Sequence, residues 1–177
     1  KFFERDTEKA AKGLLGSFLC RKIGKKVIRG MITEVEAYDG FRDRASHASR
    51  GKTARNALMF GEAAHWYVYF TYGMHWMLNV VTREEGYPAA ILVRGVQVAE
   101  QARNGRGTMR NIEGPARVTK FLKIDGKLNG RSTTKKSGIW VEEGEKMKDE
   151  RVNPDVKSGL RLKMSEEIHT SARIGVA

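Results

Sequence analysis

The stretch WYVYFTYGMHWMLNVV, residues 66–81, decides the fold because it concentrates aromatic and β-branched residues on both sides of a turn signal. The runs 66–70 and 75–81 have the composition of strands. Thr71-Tyr72-Gly73 lies between them and has residue types that favour a turn. The stretch therefore predicts a β-hairpin with Tyr72 at its tip.

Side chains of this hairpin divide into a core set and a protruding one. Trp66, Val68 and Phe70 alternate along the first strand, and large side chains in this pattern are usually core residues. Tyr72 differs, because a large residue beside Gly73 at a turn tip exposes its ring. Such a ring is either incidental or an apolar wedge of the kind that inserts between base pairs.

Other segments extend the sheet and add helices. Residues 27–38 are partly apolar on both faces, which predicts a central strand, and residues 89–96 continue the sheet. The polar segment 39–56 is expected to be a long irregular loop of the kind that carries function. Helices are also predicted at 6–20, 98–103 and from Pro115 onward, and short strands at 139–141, 160–164 and 173–176.

Composition limits the classes of protein. With 177 residues, 40% of them hydrophobic, residues 1–177 are expected to form a single domain. The net charge of +12 makes nucleic acid the leading partner class, although a merely soluble basic protein or an anionic-membrane binder would share it. No apolar run approaches the roughly 18 residues of a membrane span. The single cysteine, Cys20, excludes an internal disulfide and fits an intracellular, reducing compartment.

The segment Glu34-Val-Glu36-Ala-Tyr38 ends the predicted central strand. Alternation puts its two glutamates and its tyrosine on one face, and Ile32 is expected on the same face. A carboxylate where a strand leaves the core suits a general base. The alternative is a glutamate in a structural ion pair, which position alone does not exclude.

Metal and cofactor signals are weak. None of the four histidines, His47, His65, His75 and His169, stands in an HExxH or comparable pair. A single cysteine also excludes cysteine-rich zinc and iron–sulfur sites. No metal and no cofactor are expected.

Taken together, these segments resemble the alkyladenine (3-methyladenine) DNA glycosylase family over nearly the whole chain, from about residue 11 to residue 176. Nine blocks match in order, and the order is more specific than any one block. They are GLLG (13–16), EVEAY (34–38), DRASH (43–47), RNALMF (55–60), YVYFTYG (67–73), LN (78–79), ILVRG (91–95), GPARVTKFL (114–122) and ARIGV (172–176). One departure is Val35, where the family more commonly has threonine.

The resemblance implies an α+β fold: a single compact domain with a curved antiparallel sheet flanked by helices and a protruding β-hairpin. It implies a monomer that binds double-stranded DNA and removes alkylated or deaminated purines. By this similarity Glu36 activates water, while Arg94 helps to hold that water or a phosphate of the flipped nucleotide. Tyr72 fills the gap that the flipped nucleotide leaves.

The same resemblance implies a base-binding pocket. Tyr38, His47 and Tyr69 stack on the base and form hydrogen bonds with it. Asn79 lies at the pocket floor, and Ile174 lines the entrance. Electron-rich rings suit cationic purines such as 3-methyladenine.

The matched pocket blocks contain no lysine that could form a Schiff base, which favours a monofunctional glycosylase over a lyase. Two other function classes stay open: a non-catalytic nucleic-acid-binding module and an enzyme with another substrate on a similar fold. Glu36 discriminates between enzyme and module, because a module gains nothing from an anion facing nucleic acid. The expected location is intracellular, at DNA.

Overall fold

Seven strands form one curled antiparallel sheet in the computed structural model, which describes residues 1–41, 43–101 and 107–144. The strands are β1 Phe18–Ile23, β2 Lys26–Asp39, β3 Trp66–Thr71, β4 His75–Val81, β5 Ala89–Gln101, β6 Gly107–Glu113 and β7 Ile139–Glu142. The described helices are α1 Thr7–Leu14 and α2 Pro115–Phe121, with 3-10 turns at Ala57–Phe60, Gly126–Leu128 and Lys135–Ser137. The predicted α+β class with a curved antiparallel sheet is confirmed.

Strand β5 organises the sheet, whose order is β3-β4-β5-β2-β1-β7 with β6 also paired to β5. One edge of β5 pairs with β2 over most of its length. The other edge pairs first with β4, through residues 90–92, and then with β6, through residues 95–101. The sheet therefore divides along β5 into a part that leads to the hairpin and a part that leads to β6.

The main core lies between one face of this sheet and the two helices. Ala10 and Leu14 of α1 and Val118 of α2 belong to it. Trp66 of β3 is fully buried there, and its Nε1 donates a hydrogen bond to the carbonyl oxygen of Ile139 at 3.2 Å. Because both helices cover the same face, the opposite face is left for a second, smaller cluster around Tyr67.

The predicted hairpin is confirmed. β3 and β4 pair antiparallel along their whole length. Tyr72 and Gly73 form the turn with φ values of 51° and 66°, a left-handed conformation that glycine adopts freely and tyrosine rarely. The tip residue thus has the position that the sequence predicted.

One expected core residue of the hairpin is not buried. Trp66 and Val68 are buried as predicted, but Phe70 is 44% exposed. The hairpin extends beyond the core at this point, where the Phe70 ring packs against Trp76 with 4.7 Å between centroids. The prediction was wrong because alternation identifies a face of a strand and not how far along it the core reaches.

The first helix is shorter than predicted. α1 begins after Asp6, whose carboxylate accepts a hydrogen bond from the Lys9 amide at 3.2 Å, and it ends at Leu14. The prediction of a helix through residue 20 was wrong, because Gly16 turns the chain with a φ of 80° and Phe18 begins β1. Pairing with β2 and β7 overrides the helical spacing.

The prediction of a helix at 98–103 was also wrong. Residues 98–101 belong to strand β5, and residues 102 and 103 lie outside the described residues. Val98 is 2% exposed and lies between Gly30 of β2 and Arg110 of β6. Pairing on both edges fixes the backbone as strand whatever the local spacing.

The remaining expectations about elements hold where the structure describes them. Residues 27–38 lie within β2, which has neighbours on both edges, and residues 89–96 lie within β5. The helix after Gly114 begins with Pro115, and residues 139–141 lie within β7. The expected strands at 160–164 and 173–176 fall outside the described residues. Among the described helices, none has the length and apolar character that crossing a membrane requires.

In both β2 and β5 the alternation of side chains between the two faces of the sheet is interrupted, and the two interruptions lie next to each other. Ile32 and Val35 are three residues apart yet face the same core, because the register shifts between them. Val93 and Val96 of β5 are also three residues apart, and both face the same core. Ile32 is therefore on the face opposite to Glu36, and the prediction that they share a face was wrong because a β-bulge interrupts the alternation.

Gly95 lies where the two irregular segments meet. A Cβ atom at this position would lie 2.8 Å from Oγ1 of Thr33 and 3.1 Å from Cβ of Glu34. Close approach of the two strands thus requires glycine here. The bulge and the glycine together determine which side chains reach the face opposite the helices.

We expect Gly95→Ala to lower the free energy of unfolding by roughly 1–3 kcal/mol, because Thr33 and Glu34 must move to accept the methyl group. Urea or thermal unfolding measures this change. Gly107→Ala on β6 is the matched control, since a Cβ atom there has nothing within 4 Å. Equal stability of the two variants would contradict the close-approach argument.

Candidate active site

A row of paired residues crosses four strands of the sheet. Glu36 of β2 lies opposite Leu92 of β5, Leu92 opposite Asn79 of β4, and Asn79 opposite Tyr67 of β3. Directly paired positions in antiparallel strands bring side chains into contact. The row therefore links a carboxylate, an amide and a phenol that are far apart in the sequence.

Two neighbours hold the Glu36 carboxylate. The side chain is 10% exposed, and its Oε1 lies 3.0 Å from Nη1 of Arg94. Its Oε2 accepts a hydrogen bond from the Tyr38 hydroxyl at 2.8 Å. With both oxygens engaged, the carboxylate has a defined orientation on a strand that ends at the irregular loop.

Arg94 lies between two carboxylates. Besides Glu36, its Nε contacts Oε1 of Glu34 at 2.9 Å, and its side chain is 18% exposed. Burial by itself would lower the pKa of Arg94, but the hydrogen bond to Glu34 and the charges of both glutamates outweigh burial and raise it. The guanidinium is therefore a permanent cation at this level of the sheet.

A pocket opens beside this ion-pair network. It encloses about 270 Å³ measured out to its open mouth, and its lining residues are Tyr38, Ala45, His47, Met59, Tyr67, Tyr69 and Asn79. Most of these side chains are aromatic or polar, which suits a planar group with hydrogen-bonding atoms on its edge. Glu36 does not line the pocket itself but reaches it through Tyr38, which lines the wall and donates to the carboxylate.

Aromatic rings form one side of the pocket. The rings of His47 and Tyr69 meet edge to face with 4.6 Å between centroids, and Tyr69 lies 5.1 Å from Tyr67. Nδ1 of His47 is 3.3 Å from the Tyr67 hydroxyl.

The surroundings of the pocket shift the pKa values of three of these groups. His47 is exposed at the surface, yet partial burial lowers its pKa, and the charge of Arg55 lowers it further. Burial raises the pKa of Tyr67 and Tyr69, so both phenols stay protonated.

The loop that carries His47 is fastened at two points. Asn56 is 2% exposed, and its Nδ2 donates to the carbonyl oxygens of His47 and Gly51 at 2.8 and 2.9 Å. The Arg55 guanidinium lies 5.2 Å from the centroid of the Tyr69 ring and donates to the Phe70 carbonyl oxygen at 2.9 Å. An irregular segment thereby acquires a fixed position against the hairpin.

Asn79 closes the inner end of the pocket. It is 3% exposed, and its Nδ2 donates to the carbonyl oxygen of Tyr67 at 3.1 Å. The amide thus both lines the pocket and ties β4 to β3. Its position therefore fits both the expected place at the pocket floor and the alternative, a structural asparagine.

The hairpin tip stands clear of the rest of the molecule. Tyr72 is 86% exposed and Met74 is 66% exposed. Tyr72 follows Tyr69, a residue of the pocket lining, by three residues on the same hairpin. A large apolar group in this position is available to contact a partner.

The structure brings most of the expected site residues together. Tyr38, His47, Tyr69 and Asn79 line one pocket, Glu36 and Arg94 adjoin it through Tyr38, and Tyr72 lies at the tip. Ile174 lies outside the described residues, so its place at the entrance stays a prediction. Within the described residues, no group of three or more His, Cys, Asp or Glu side chains could hold a metal ion.

Sequence reasoning missed several participants: Tyr67, Arg55, Ala45, Met59 and the contact of Glu34 with Arg94. Tyr67 could have been predicted, because it is two residues from Tyr69 on the same strand and therefore lies on the same face. The contacts of Arg55 and Glu34 join distant segments and have no local signal.

The site combines an aromatic pocket with a carboxylate in a fixed position. Phenols and an imidazole can stack on a planar ring and exchange hydrogen bonds with its edge. A carboxylate held by an arginine can accept a proton from water or stabilise developing positive charge.

The whole chain, residues 1–177, matches the family described as Methylpurine-DNA glycosylase (MPG). A "Putative 3-methyladenine DNA glycosylase" of Carboxydothermus hydrogenoformans is 39% identical over 166 residues, which cover 90% of this chain and 86% of the relative. Proteins of the same name from Methanocella arvoryzae and Streptomyces avermitilis are 38% and 45% identical, over 83% and 73% of this chain and 77% and 64% of the relatives. Because the family match extends over the full length and agrees with the nine sequence blocks, this chain belongs to the methylpurine-DNA glycosylase family.

Proposed function

We propose that this protein is a monofunctional DNA glycosylase of base-excision repair. It flips a damaged purine out of the duplex, hydrolyses the N-glycosidic bond and leaves an abasic site. The observation that carries the proposal is Glu36, a carboxylate 10% exposed and fixed by Arg94 and by Tyr38, which lines an aromatic pocket. A non-catalytic nucleic-acid-binding module would gain nothing from an anion in that place.

Capture of the nucleotide depends on charge and on the hairpin tip. The net charge of +12 attracts duplex DNA without regard to sequence. A base within a duplex is inaccessible, and its extrusion costs a few kcal/mol of stacking. The ring of Tyr72, which is 86% exposed, enters the space that the base leaves and offsets part of that cost.

Recognition of the base takes place between Tyr38, His47 and Tyr69. Alkylated purines such as 3-methyladenine are cationic, and electron-rich rings stabilise a cation that stacks on them. The lowered pKa of His47 supports this role, because a neutral imidazole does not repel a cationic base. The protonated phenols add donors that suit the acceptor atoms on a purine edge.

Hydrolysis follows from the position of Glu36. The glycosidic bond breaks with its electron pair leaving on the base, and positive charge develops on the sugar. Water bonds to the sugar carbon, and the Glu36 carboxylate accepts the proton that the water loses. Arg94 fixes the carboxylate and helps to hold the water or the phosphate of the flipped nucleotide. No metal or cofactor takes part in this scheme.

The proposed substrates are 3-methyladenine, 7-methylguanine, hypoxanthine and ethenoadenine. The lining of the described pocket contains no lysine, which supports a glycosylase without lyase chemistry. We propose that the protein acts as a monomer on double-stranded DNA inside the cell.

Glu36→Gln should abolish most base release, by roughly 10²–10⁴-fold, because the amide keeps the shape but gives up the charge and the basicity of the carboxylate. Single-turnover release of hypoxanthine from duplex DNA measures the rate, and gel-shift binding of the same duplex serves as the control. Near-normal release by the variant would remove Glu36 from the mechanism.

Tyr72→Ala should weaken capture of a lesion roughly tenfold or more, with little effect on plain duplex, because the wedge acts only when a base leaves the stack. Fluorescence of 2-aminopurine next to the lesion reports flipping. Tyr72→Phe is the matched control and should flip normally, since it keeps the ring. Equal flipping by the alanine variant would give the hairpin tip another role.

Asn79→Ser should raise release of guanine-type bases relative to hypoxanthine, because a shorter side chain at the pocket floor admits the exocyclic 2-amino group. The lost hydrogen bond to Tyr67 should cost about 1 kcal/mol. Asn129→Ser is the matched control: the Oδ1 of Asn129 accepts from the Val68 amide at 2.8 Å, and this residue is not part of the pocket lining.

For Asn129→Ser we expect a fall in melting temperature with an unchanged ratio of substrates. If Asn79→Ser behaves in the same way as this control, Asn79 is structural and the gate lies elsewhere.

A further inference from the structure

Arg94 has a second carboxylate partner that the proposed mechanism leaves without a role. Nε of Arg94 contacts Oε1 of Glu34 at 2.9 Å, while Nη1 contacts Oε1 of Glu36 at 3.0 Å. Glu34 is 46% exposed and does not line the pocket. It therefore touches the arginine that fixes Glu36 and not the base-binding site.

The backbone is shaped to bring these groups together. The register of β2 against β5 shifts on both sides of Glu34, and Gly95 lies opposite that residue. The close contact of Gly95 with Thr33 and Glu34 leaves no room for a Cβ atom. A bulge of this kind re-aims side chains at the expense of regular pairing, and such bulges are frequent next to active sites.

The contact with Glu34 has a geometric consequence. A guanidinium bound through Nε cannot swing freely about its long side chain, so Nη1 stays directed at Glu36. Without Glu34, the cation would keep one partner here and could turn toward a DNA phosphate. The orientation of the Glu36 carboxylate would then be less defined.

We propose that Glu34 is a positioning residue for hydrolysis, which holds Arg94 in the orientation that fixes Glu36. The inference rests on the proposed role of Glu36. Glu34 acts through Arg94 and makes no contact with the base or the water. The effect of its loss should therefore be restored by a side chain that keeps the hydrogen bond to Arg94, which an effect of charge alone would not allow.

The test is single-turnover hypoxanthine release by Glu34→Ala beside Glu34→Gln. The amide of the glutamine can still accept the hydrogen bond from Arg94, whereas alanine cannot. We expect the rate of Glu34→Ala to fall roughly three- to tenfold, the size of effect expected for one lost hydrogen bond. We expect Glu34→Gln to lose roughly twofold or less, because it keeps Arg94 in place.

Affinity for undamaged duplex should not weaken in either variant, because the change removes negative charge from a basic protein. Melting temperatures of both variants, measured in parallel, separate a loss of positioning from a loss of folding.

Glu100→Ala is the matched control. Glu100 forms an ion pair with Arg110 at 3.1 Å and is 42% exposed, close to the exposure of Glu34, but it pairs with an arginine of β6. The control should keep the rate of the parent protein. An equal effect of both alanines would mean that the change reflects overall charge, which overturns the inference.

Two further outcomes would overturn it. Glu34→Ala could show the parent rate or lose rate only in proportion to stability, or Glu34→Gln could lose as much rate as Glu34→Ala. Glu36→Gln, assayed beside them, keeps the two proposals apart. If Glu36→Gln is inactive while Glu34→Ala is unaffected, only the positioning role fails; if Glu36→Gln is active, the proposed mechanism itself fails.

Discussion

The ion pair between Arg94 and Glu36 is the contact on which the site depends. Both side chains are mostly buried, at 18% and 10% exposure, so loss of one partner would leave an uncompensated charge in the sheet. The pair joins β2 to β5, the two strands with the most extensive pairing, at the level where both change face. Gly95 permits their close approach there. The position of the carboxylate is thus a property of the backbone of two long strands.

The pocket, in contrast, is assembled from segments that meet only through tertiary contacts. β3 and β4 supply Tyr69 and Asn79, and the irregular loop supplies His47. Hydrogen bonds from Asn56 and Arg55 hold the loop against itself and against the hairpin. Leu92 of β5 lies opposite both Glu36 of β2 and Asn79 of β4. The hairpin and the carboxylate are therefore held by the same strand.

Sequence alone predicted the elements that have a strong local signal. The hairpin and β2 follow from composition and alternation, and nine ordered blocks identified the family and most of the pocket. It failed where a tertiary contact overrides a local pattern: pairing with β2 and β7 makes residues 18–20 strand instead of helix, and a bulge puts Ile32 on the opposite face from Glu36. The link from Glu34 to Arg94 joins positions 60 residues apart, and no periodicity within one strand could reveal it.

The roles proposed for recognition and for hydrolysis fall on different elements of the fold, and this division affects how such a protein could diversify. The groups suited to hold a base lie on a loop and a hairpin, which tolerate insertions and substitutions well. The ion pair lies on paired central strands, where a single added methyl group meets its neighbours. Under the proposed mechanism, a change in the preferred lesion would not require a change in the ion pair. Tyr38 is the exception, since it lines the pocket and binds Glu36, so a substitution at this position would alter selectivity and turnover together.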